Sequence, residues 1–159
     1  MAQGPPLERP PARDRPCQIP EPLADGFVKV DATWGTVAPI ELAPGVRTIG
    51  ERELIEHLEQ GRPLVDTRQP HFHREATIPG ARSIPHDEVL DRLDELDAGV
   101  ATAFFCNGPQ CIATPDAIRA LLEAGYPPSG ILYYRGGMHD WMTLGYPTAR
   151  GVGAGPGGE

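Results

Sequence analysis

Two cysteines, five residues apart, mark the segment of the sequence whose residue types could do chemistry. Cys106 ends an apolar run, and the loop after it consists of Asn107, Gly108, Pro109, Gln110, Cys111 and Ile112. The backbone N–H groups of such a loop favour a thiolate, and they lower the pKa of a cysteine from its ordinary value of about 8.5. A thiolate at Cys106 would be a strong nucleophile, so Cys106 is the candidate catalytic residue.

The residues on either side of this loop predict the elements that position Cys106. The apolar run 101–105 is typical of a buried strand. Thr114 suits the N-cap of a helix and Pro115 its first position, while Gly125 is expected to end the helix as its C′ residue. Cys106 is therefore predicted to lie at the carboxyl end of a strand and to face the N-terminus of a helix.

Each cysteine also has an unreactive interpretation, because free cysteine is among the most buried residue types. Three roles stay open for Cys111. It is a resolving thiol that forms a disulfide with Cys106, or the true nucleophile, or a side chain packed under the loop. Cys17, which lies between Pro16 and Gln18, is interpreted as an incidental exposed thiol.

The composition narrows the class of protein. The 159 residues include 22 Asp and Glu against 14 Lys and Arg, for a net charge of −8. This acidity and the lack of a basic cluster argue against a nucleic-acid partner. The odd number of cysteines argues against a secreted disulfide scaffold, and the lack of an apolar stretch of about 18 residues argues against a membrane partner. A cytoplasmic location is the resulting expectation.

The chain is predicted to hold one folded domain between two flexible ends. Residues 1–23 contain seven prolines and are predicted to form a disordered arm. Residues 24–47 are predicted to form a β extension packed on the domain, with Trp34 in a core role. The domain itself is expected over 48–149, and a glycine-rich, disordered tail over 150–159.

Strands alternate with helices within the domain, which indicates an α/β fold with a mostly parallel sheet. In such a sheet the active site lies at the carboxyl ends of the strands. Thr48 and Glu51 match a capping box at the start of a helix that Gly61 ends. The further predicted elements are strands over 62–68, 83–85 and 130–134, helices over 86–97 and 138–144, and an irregular segment over 69–81.

Three segments together resemble the rhodanese (sulfurtransferase) superfamily. The first is Leu-Val-Asp-Thr-Arg at 64–68, followed by Ile-Pro-Gly-Ala at 78–81. The second is Phe-Phe-Cys at 104–106 with the loop and helix after it. The third is Arg-Gly-Gly at 135–137, followed by Trp141, Gly and Pro. The resemblance covers the chain from about residue 48 to 148, with the segments in the family's order.

The resemblance implies a three-layer fold, with helices on both faces of the sheet, and a single-domain sulfurtransferase or persulfide carrier that needs no cofactor. Cys106 would take a sulfane sulfur from thiosulfate or a small persulfide and pass it to a thiol, cyanide or protein acceptor. The backbone N–H groups of residues 107–112 and the N-terminus of the following helix would stabilise the anionic sulfur.

The loop departs from the family's pattern at a point that bears on the substrate. The family's loop carries an arginine a few residues after the cysteine, whereas this loop contains no cation and is longer. Because a dianion needs that charge more than a monoanionic persulfide does, thiosulfate turnover is expected to be modest. Arg135, which leads into the Gly-Gly turn, is one candidate for the missing cation.

Supporting roles are expected for Asp66, Arg68, Thr114 and Arg135. Asp66 at a strand end is predicted to order the loop by accepting backbone N–H groups, and Arg68 is predicted to pair with a nearby acid. His71 and His73 form a His-x-His pair but lack a third ligand. A solvated turn is therefore expected there, and no metal site.

Two other functions compete with sulfur transfer. In the first, the module is non-catalytic and senses redox state or reactive sulfur through a bond between Cys106 and Cys111. The second is arsenate reductase or phosphatase activity, which is found on a similar architecture. It ranks last, because it needs a Cys-x5-Arg loop and Ile112 occupies the arginine position here.

Overall fold

The computed structural model describes residues 21–24, 28–29 and 37–152 of the chain. Trp34, Cys17 and most of the predicted arm and tail lie outside these residues, so their predicted roles stay predictions. The first two strands, β1 (Glu21–Pro22) and β2 (Val28–Lys29), pair with each other in antiparallel orientation.

Five parallel strands form the main sheet of the described residues. In chain order they are β3 (Arg47–Ile49), β4 (Leu64–Asp66), β5 (Arg82–Ser83), β6 (Thr102–Phe105) and β7 (Ile131–Tyr134). Their spatial order is β3-β7-β6-β4-β5, so β6 lies at the centre. Parallel neighbours need crossover connections, which the intervening helices and turns supply. The predicted α/β class is confirmed, and this sheet is wholly parallel.

Helices cover both faces of the sheet, as expected. Within the described residues they are α1 (Glu51–Glu59), α2 (Pro70–Glu75), α3 (Ala113–Glu123) and α4 (Gly137–Thr143). On one face, Ile118 of α3 joins the hydrophobic cluster that contains Phe104. On the other face, Leu54 of α1 and Trp141 of α4 join the cluster that contains Phe105. Successive residues of β6 thus pack into the clusters on opposite faces of the sheet, because strand side chains alternate between faces.

The start of α1 differs from its prediction. The helix begins at Glu51, and Gly50 rather than Thr48 occupies the N-cap position. The predicted capping box is wrong because Thr48 lies in the edge strand β3, where its hydroxyl donates a hydrogen bond to the Ile40 carbonyl. The predicted end is confirmed: Gly61 follows the C-cap residue with a φ of 69°, a conformation that glycine adopts without strain.

Two further segments differ from their predictions. The segment 69–81, expected to be irregular, contains the short helix α2, which a proline begins. The segment 86–97, expected to be one amphipathic helix, forms turns and a single 3-10 turn at Leu93–Glu95. Its apolar residues do not share one buried face, since Val89 is buried whereas Leu90 is exposed. The helical spacing of apolar residues in this segment therefore did not produce a helix, and the segment forms a short connection made of turns.

Candidate active site

Cys106 directly follows the central strand β6, as the sequence predicts. The loop 107–112 then leads into α3. Only 1% of Cys106 is exposed, and within the loop every residue except Ile112 is buried. The two thiols therefore lie in a buried compartment, with Cys106 beneath the loop and Cys111 within it.

The Cys106 thiol faces carbonyl groups instead of the predicted ring of N–H groups. Its Sγ lies 3.6 Å from the Cys111 carbonyl oxygen and 3.9 Å from the Gly108 carbonyl oxygen. Burial, followed by a hydrogen bond with the Cys111 thiol, raises the pKa of Cys106 well above its ordinary value. Carbonyl oxygens accept the S–H proton and favour the neutral thiol. The prediction that this loop holds Cys106 ionised is therefore wrong.

One N–H group of the predicted set does face the sulfur. Burial raises the pKa of Cys106, whereas hydrogen bonds from the hydroxyl and the backbone N–H of Thr114 act to lower it. Thr114 is not the N-cap residue that the sequence predicts: α3 begins at Ala113, and Ile112 precedes it without a side-chain cap. Thr114 is instead buried within the first turn, where its side chain contacts the site.

Two buried threonine hydroxyls form a chain that ends at the sulfur. Thr67 Oγ1 donates to the Phe105 carbonyl at 2.9 Å and lies 2.8 Å from Thr114 Oγ1. Because Thr67 uses its one hydrogen on the carbonyl, Thr114 donates its own hydrogen to Thr67 while Cys106 is a neutral thiol. When Cys106 loses its proton, the Thr114 hydroxyl can turn and donate to the thiolate.

The Gly-Gly turn before α4 holds the loop from below. The Met138 N–H donates to the Cys106 carbonyl at 3.0 Å, and the His139 N–H donates to the Asn107 carbonyl at 2.8 Å. Gly137 permits this close approach, because it has a φ of 59° and a Cβ there would overlap the Cys106 carbonyl oxygen. This motif therefore positions the backbone of the site.

Residues 37–40, which we call the strap, tie the loop to the end of β7. The Ala38 N–H donates to the Pro109 carbonyl at 2.6 Å. The Ala38 carbonyl in turn accepts a hydrogen bond from Arg135 Nε at 2.8 Å. Arg135 thus lies near the loop with its guanidinium bound to the strap, and the segment before the main sheet helps to close the site.

A network of charged and polar groups lies beside the loop, at the carboxyl end of β4. The buried Arg68 guanidinium donates to both oxygens of the Asp66 carboxylate, at 2.9 and 2.7 Å. The same carboxylate lies 3.3 Å from His73 Nδ1 and accepts a hydrogen bond from the Thr77 hydroxyl at 2.9 Å. Burial acts to raise the pKa of Asp66, but Arg68 and His73 lower it to about 2. His73 is thus buried in a network, and the predicted solvated turn is wrong for this residue.

Arg68 connects this network to the loop. Its Nη1 donates to Asn107 Oδ1 at 3.3 Å, and its backbone N–H donates to Asp66 Oδ1 at 3.1 Å. A cation therefore does lie beneath the loop, although the loop itself contains none. Its charge is balanced by Asp66, so it is not available to a dianionic substrate without breaking a buried ion pair.

Three residues of the site were not among the sequence candidates: Thr67, His139 and Tyr133. Tyr133 is fully buried on β7, and its hydroxyl has no hydrogen-bond partner among the described residues. Burial raises the pKa of Tyr133, and a charge on Cys106 would raise it further, so the hydroxyl keeps its proton. The available signal was a tyrosine in a predicted buried strand, since a buried tyrosine hydroxyl normally needs a partner.

The two residues of the His-x-His pair lie in different environments. His71 is exposed whereas His73 is buried, so the two side chains do not form a pair of ligands. Across residues 21–24, 28–29 and 37–152, no three or more His, Cys, Asp and Glu side chains are grouped to hold a metal ion. In the same ranges, no helix has the length and apolar character to cross a membrane.

Comparison with known proteins agrees with this architecture. A family model described as the rhodanese-like domain matches residues 51–144. This match covers more than half of the chain and includes Cys106, the loop and the Gly-Gly turn. The chain belongs to the rhodanese-like domain family, whose members include sulfurtransferases.

A curated relative shows this domain in a different context. An HTH-type transcriptional regulator of Mycobacterium tuberculosis is 34% identical over 110 residues, which make up 69% of this chain and 47% of the regulator. The chain thus spans about half the length of this relative. What the whole regulator does therefore transfers to this chain only as a proposal.

Solved structures share the fold. The reduced CoADR-RHD of Bacillus anthracis is 30% identical with a TM-score of 0.53, over 63% of this chain and 17% of that chain. The thiosulfate sulfurtransferase of Pseudomonas aeruginosa is 24% identical with a TM-score of 0.57, over 70% of this chain and 22% of that chain. A rhodanese-related protein of Thermoplasma volcanium is 24% identical with a TM-score of 0.54, over 65% of this chain and 97% of that chain. The last two support the fold alone.

Proposed function

We propose that this domain accepts sulfane sulfur as a persulfide on Cys106 and passes it on, with Cys111 as a resolving thiol. The observation that carries this proposal is the contact between the two thiols at the carboxyl end of β6. They share a hydrogen bond, and together with Ala113 they form one buried cluster. Membership of the rhodanese-like family supports the sulfur-transfer chemistry.

The uptake step is a thiol–persulfide exchange. The Cys106 thiolate attacks the outer sulfur of a persulfide donor R–S–SH, the S–S bond of the donor breaks, and R–SH leaves with a proton. An acceptor thiol can then attack the outer sulfur, so that Cys106 leaves as a thiolate. Without an acceptor, Cys111 attacks Sγ of Cys106, hydrogen sulfide leaves, and a disulfide forms that an external dithiol must reduce.

Two features favour a small persulfide over thiosulfate as the donor. The loop 107–112 contains no cation, and the charge of Arg68 beneath it is balanced by Asp66. A dianion entering this compartment would therefore lack a counter-charge, whereas a small persulfide brings at most one negative charge. Since Cys106 is neutral and buried, uptake also requires the loop to open and the thiol to lose a proton.

Intact-mass spectrometry after incubation with glutathione persulfide tests the proposal. In a Cys17→Ser background, the chain is expected to gain the mass of one sulfur atom on Cys106, and Cys106→Ser is expected to gain none. Cys111→Ser is expected to keep the added sulfur longer, because it cannot form the disulfide. Equal labelling of the Cys106→Ser chain would overturn the assignment of the nucleophile, and unchanged persistence in Cys111→Ser would overturn the resolving role.

A second candidate function is a module that senses oxidants or reactive sulfur through a Cys106–Cys111 disulfide. The burial of both thiols beneath a loop that the strap closes favours it, because disulfide formation would alter that closure. The regulator among its relatives also favours it. A persulfide:cyanide assay separates the two candidates: a transferase turns over repeatedly, whereas a sensor becomes oxidised without turnover.

The remaining expectations from the sequence are kept as proposals. The partners would be a small sulfur donor and a thiol, cyanide or protein acceptor, with no nucleic acid, and the location would be cytoplasmic. Arsenate reductase or phosphatase chemistry is not proposed, because Ile112 is an exposed apolar residue where that chemistry needs an arginine.

A further inference from the structure

Tyr133 presents a feature that the sulfur-transfer step described above does not use. Its side chain is fully buried, and within the described residues its hydroxyl has no hydrogen-bond partner. A buried hydroxyl without a partner lowers stability, whereas a phenylalanine of the same shape would carry no such cost. The hydroxyl is therefore not explained by packing.

The position of Tyr133 places this hydroxyl on the side of the sheet that holds the site. Tyr133 of β7 pairs with Phe104 of β6, and both belong to the hydrophobic cluster beneath α3. Cys106 follows Phe104 by two residues, so strand alternation returns it to the same side. Burial raises the pKa of Tyr133, and a charge on Cys106 would raise it further, whereas Arg135 acts to lower it, so the hydroxyl keeps its proton.

A persulfide would change what surrounds this hydroxyl. The outer sulfur lies about 2.05 Å beyond Sγ and carries the negative charge when the persulfide ionises. An anion in a buried compartment needs hydrogen-bond donors. Thr114 supplies its N–H and its hydroxyl to Sγ itself, and the protonated Tyr133 hydroxyl is a further donor that has no partner among the described residues.

We propose that the Tyr133 hydroxyl donates a hydrogen bond to the outer sulfur of a persulfide on Cys106. This proposal rests on the proposed function and names a residue that touches the transferred atom. It also accounts for the unpaired hydroxyl, which would find its partner only in the persulfide form. The Tyr133 hydroxyl would then stabilise the persulfide form of Cys106 and would not contribute to the stability of the unmodified chain.

The test compares two tyrosines whose hydroxyls both lack a partner among the described residues. Tyr126 lies in the connection between α3 and β7, where its ring packs against Gly130, the residue before β7. Tyr133→Phe and Tyr126→Phe are made in a chain that also carries Cys17→Ser and Cys111→Ser, so that the persulfide is not resolved. The persulfide on Cys106 is then titrated with glutathione, and intact mass gives the concentration that removes half of the sulfur.

Tyr133→Phe is expected to lose its sulfur at a glutathione concentration lower by about tenfold or more, because hydrogen bonds to charged groups are the strong ones. Tyr126→Phe is expected to match the parent chain. The thermal unfolding midpoint of unmodified Tyr133→Phe should equal or exceed that of the parent, because only an unpaired hydroxyl is removed.

Each other result overturns a defined statement. If both tyrosine variants match the parent, the Tyr133 proposal fails and the proposed function stands. A lower unfolding midpoint for unmodified Tyr133→Phe would show that the hydroxyl already has a partner, which also overturns the proposal. If the parent takes up no sulfur on Cys106, the proposed function itself fails, and the role of Tyr133 fails with it.

Discussion

The carboxyl ends of β4 and β6 are neighbours at the same edge of the sheet, but they differ in how far their buried polar groups are charged and hydrogen-bonded. After β4, the Asp66 carboxylate receives hydrogen bonds from Arg68 and Thr77 and contacts His73. After β6, the polar groups are neutral thiols, and the nearby Tyr133 hydroxyl lacks a partner among the described residues. Both regions are buried, so solvent exposure does not distinguish them.

This contrast indicates that the region after β4 stabilises the fold, whereas the region after β6 is free to rearrange. A buried charge with every partner in place resists any rearrangement, because losing one partner leaves an unpaired charge. Neutral thiols with loose sulfur contacts lose little when the loop moves. Reactivity is therefore expected after β6, and rigidity after β4, where Arg68 also supports the loop through Asn107.

Replacing Arg68 by methionine should produce the largest effect. Asp66 would remain buried without its cation, and removal of one partner from a buried ion pair typically costs about 3–5 kcal/mol. Urea unfolding followed by circular dichroism measures the change in the free energy of unfolding. Arg52→Met, which removes the exposed ion pair with Glu56, serves as the matched control and is expected to change little. Equal stability of the two variants would show that the buried Arg68–Asp66 pair contributes no more to folding than an exposed ion pair does.

The two loops should also respond to pH in opposite directions. The pKa of Asp66 falls from 3.8 to about 2 on folding. This contributes about 2 kcal/mol of stability that is present above about pH 4 and is lost as the pH falls toward about 2. Burial raises the pKa of Cys106 above its ordinary value, so the contribution of Cys106 to stability is present below that ordinary value and is lost as the pH rises through the raised pKa.

The free energy of unfolding across the pH range checks both signs. Asp66→Asn should make the loss of stability in acid less steep, and Cys106→Ser should make the loss in alkali less steep, although Tyr133, whose pKa is also raised, still contributes to the alkaline loss. The slope is the readout, because each variant also shifts the stability at neutral pH. A flat alkaline limb in the chain that retains Cys106 would show that its thiol is already ionised.

Alkylation of Cys106 should be slow in the folded chain. In a background with Cys17→Ser and Cys111→Ser, iodoacetamide near neutral pH is expected to react with Cys106 at least about tenfold more slowly than in urea, because the loop must open first. The measurement is the rate of mass gain in each state. Equal rates would mean that the loop already leaves Cys106 accessible in the folded chain, which would contradict its burial.

Release of the strap should have the smallest effect. Arg135→Met removes the hydrogen bond to the Ala38 carbonyl. Loss of one such bond is expected to speed alkylation of Cys106 by about two- to tenfold, in line with the modest net worth of a single hydrogen bond. Arg119→Met, at an exposed position of α3, is the control. An unchanged rate for Arg135→Met would show that the strap does not limit loop opening.

Much of the fold follows from local patterns in the sequence. The buried strands around Val65, Phe104 and Ile131 are read from short apolar runs, and their alternation with helices predicts a parallel sheet with Cys106 at its reactive edge. The helix ends at Gly61 and Gly125 are also predictable, because both glycines take a positive φ. These features depend on residues that are close together in the chain.

The helix starts at Thr48 and Thr114 could not be predicted in this way. Each residue matches a cap, but each is used elsewhere: Thr48 binds the Ile40 carbonyl, and Thr114 contacts Thr67. In both cases the threonine hydroxyl forms a hydrogen bond with a residue distant in the chain instead of capping the backbone N–H groups of the helix. The buried state of His73 has the same origin, since its partner Asp66 lies on a preceding strand.

The order of residues along the chain was enough to predict the family architecture, the position of Cys106 after a buried strand and a second thiol five residues later. The protonation state of Cys106 follows only from the folded arrangement around it. The pKa of a thiol depends on burial and on which backbone groups, N–H or C=O, turn toward the sulfur, and a loop of the same composition can present either. That orientation is set by contacts from α4, Thr67 and the strap, which are distant in the chain and leave no local signal.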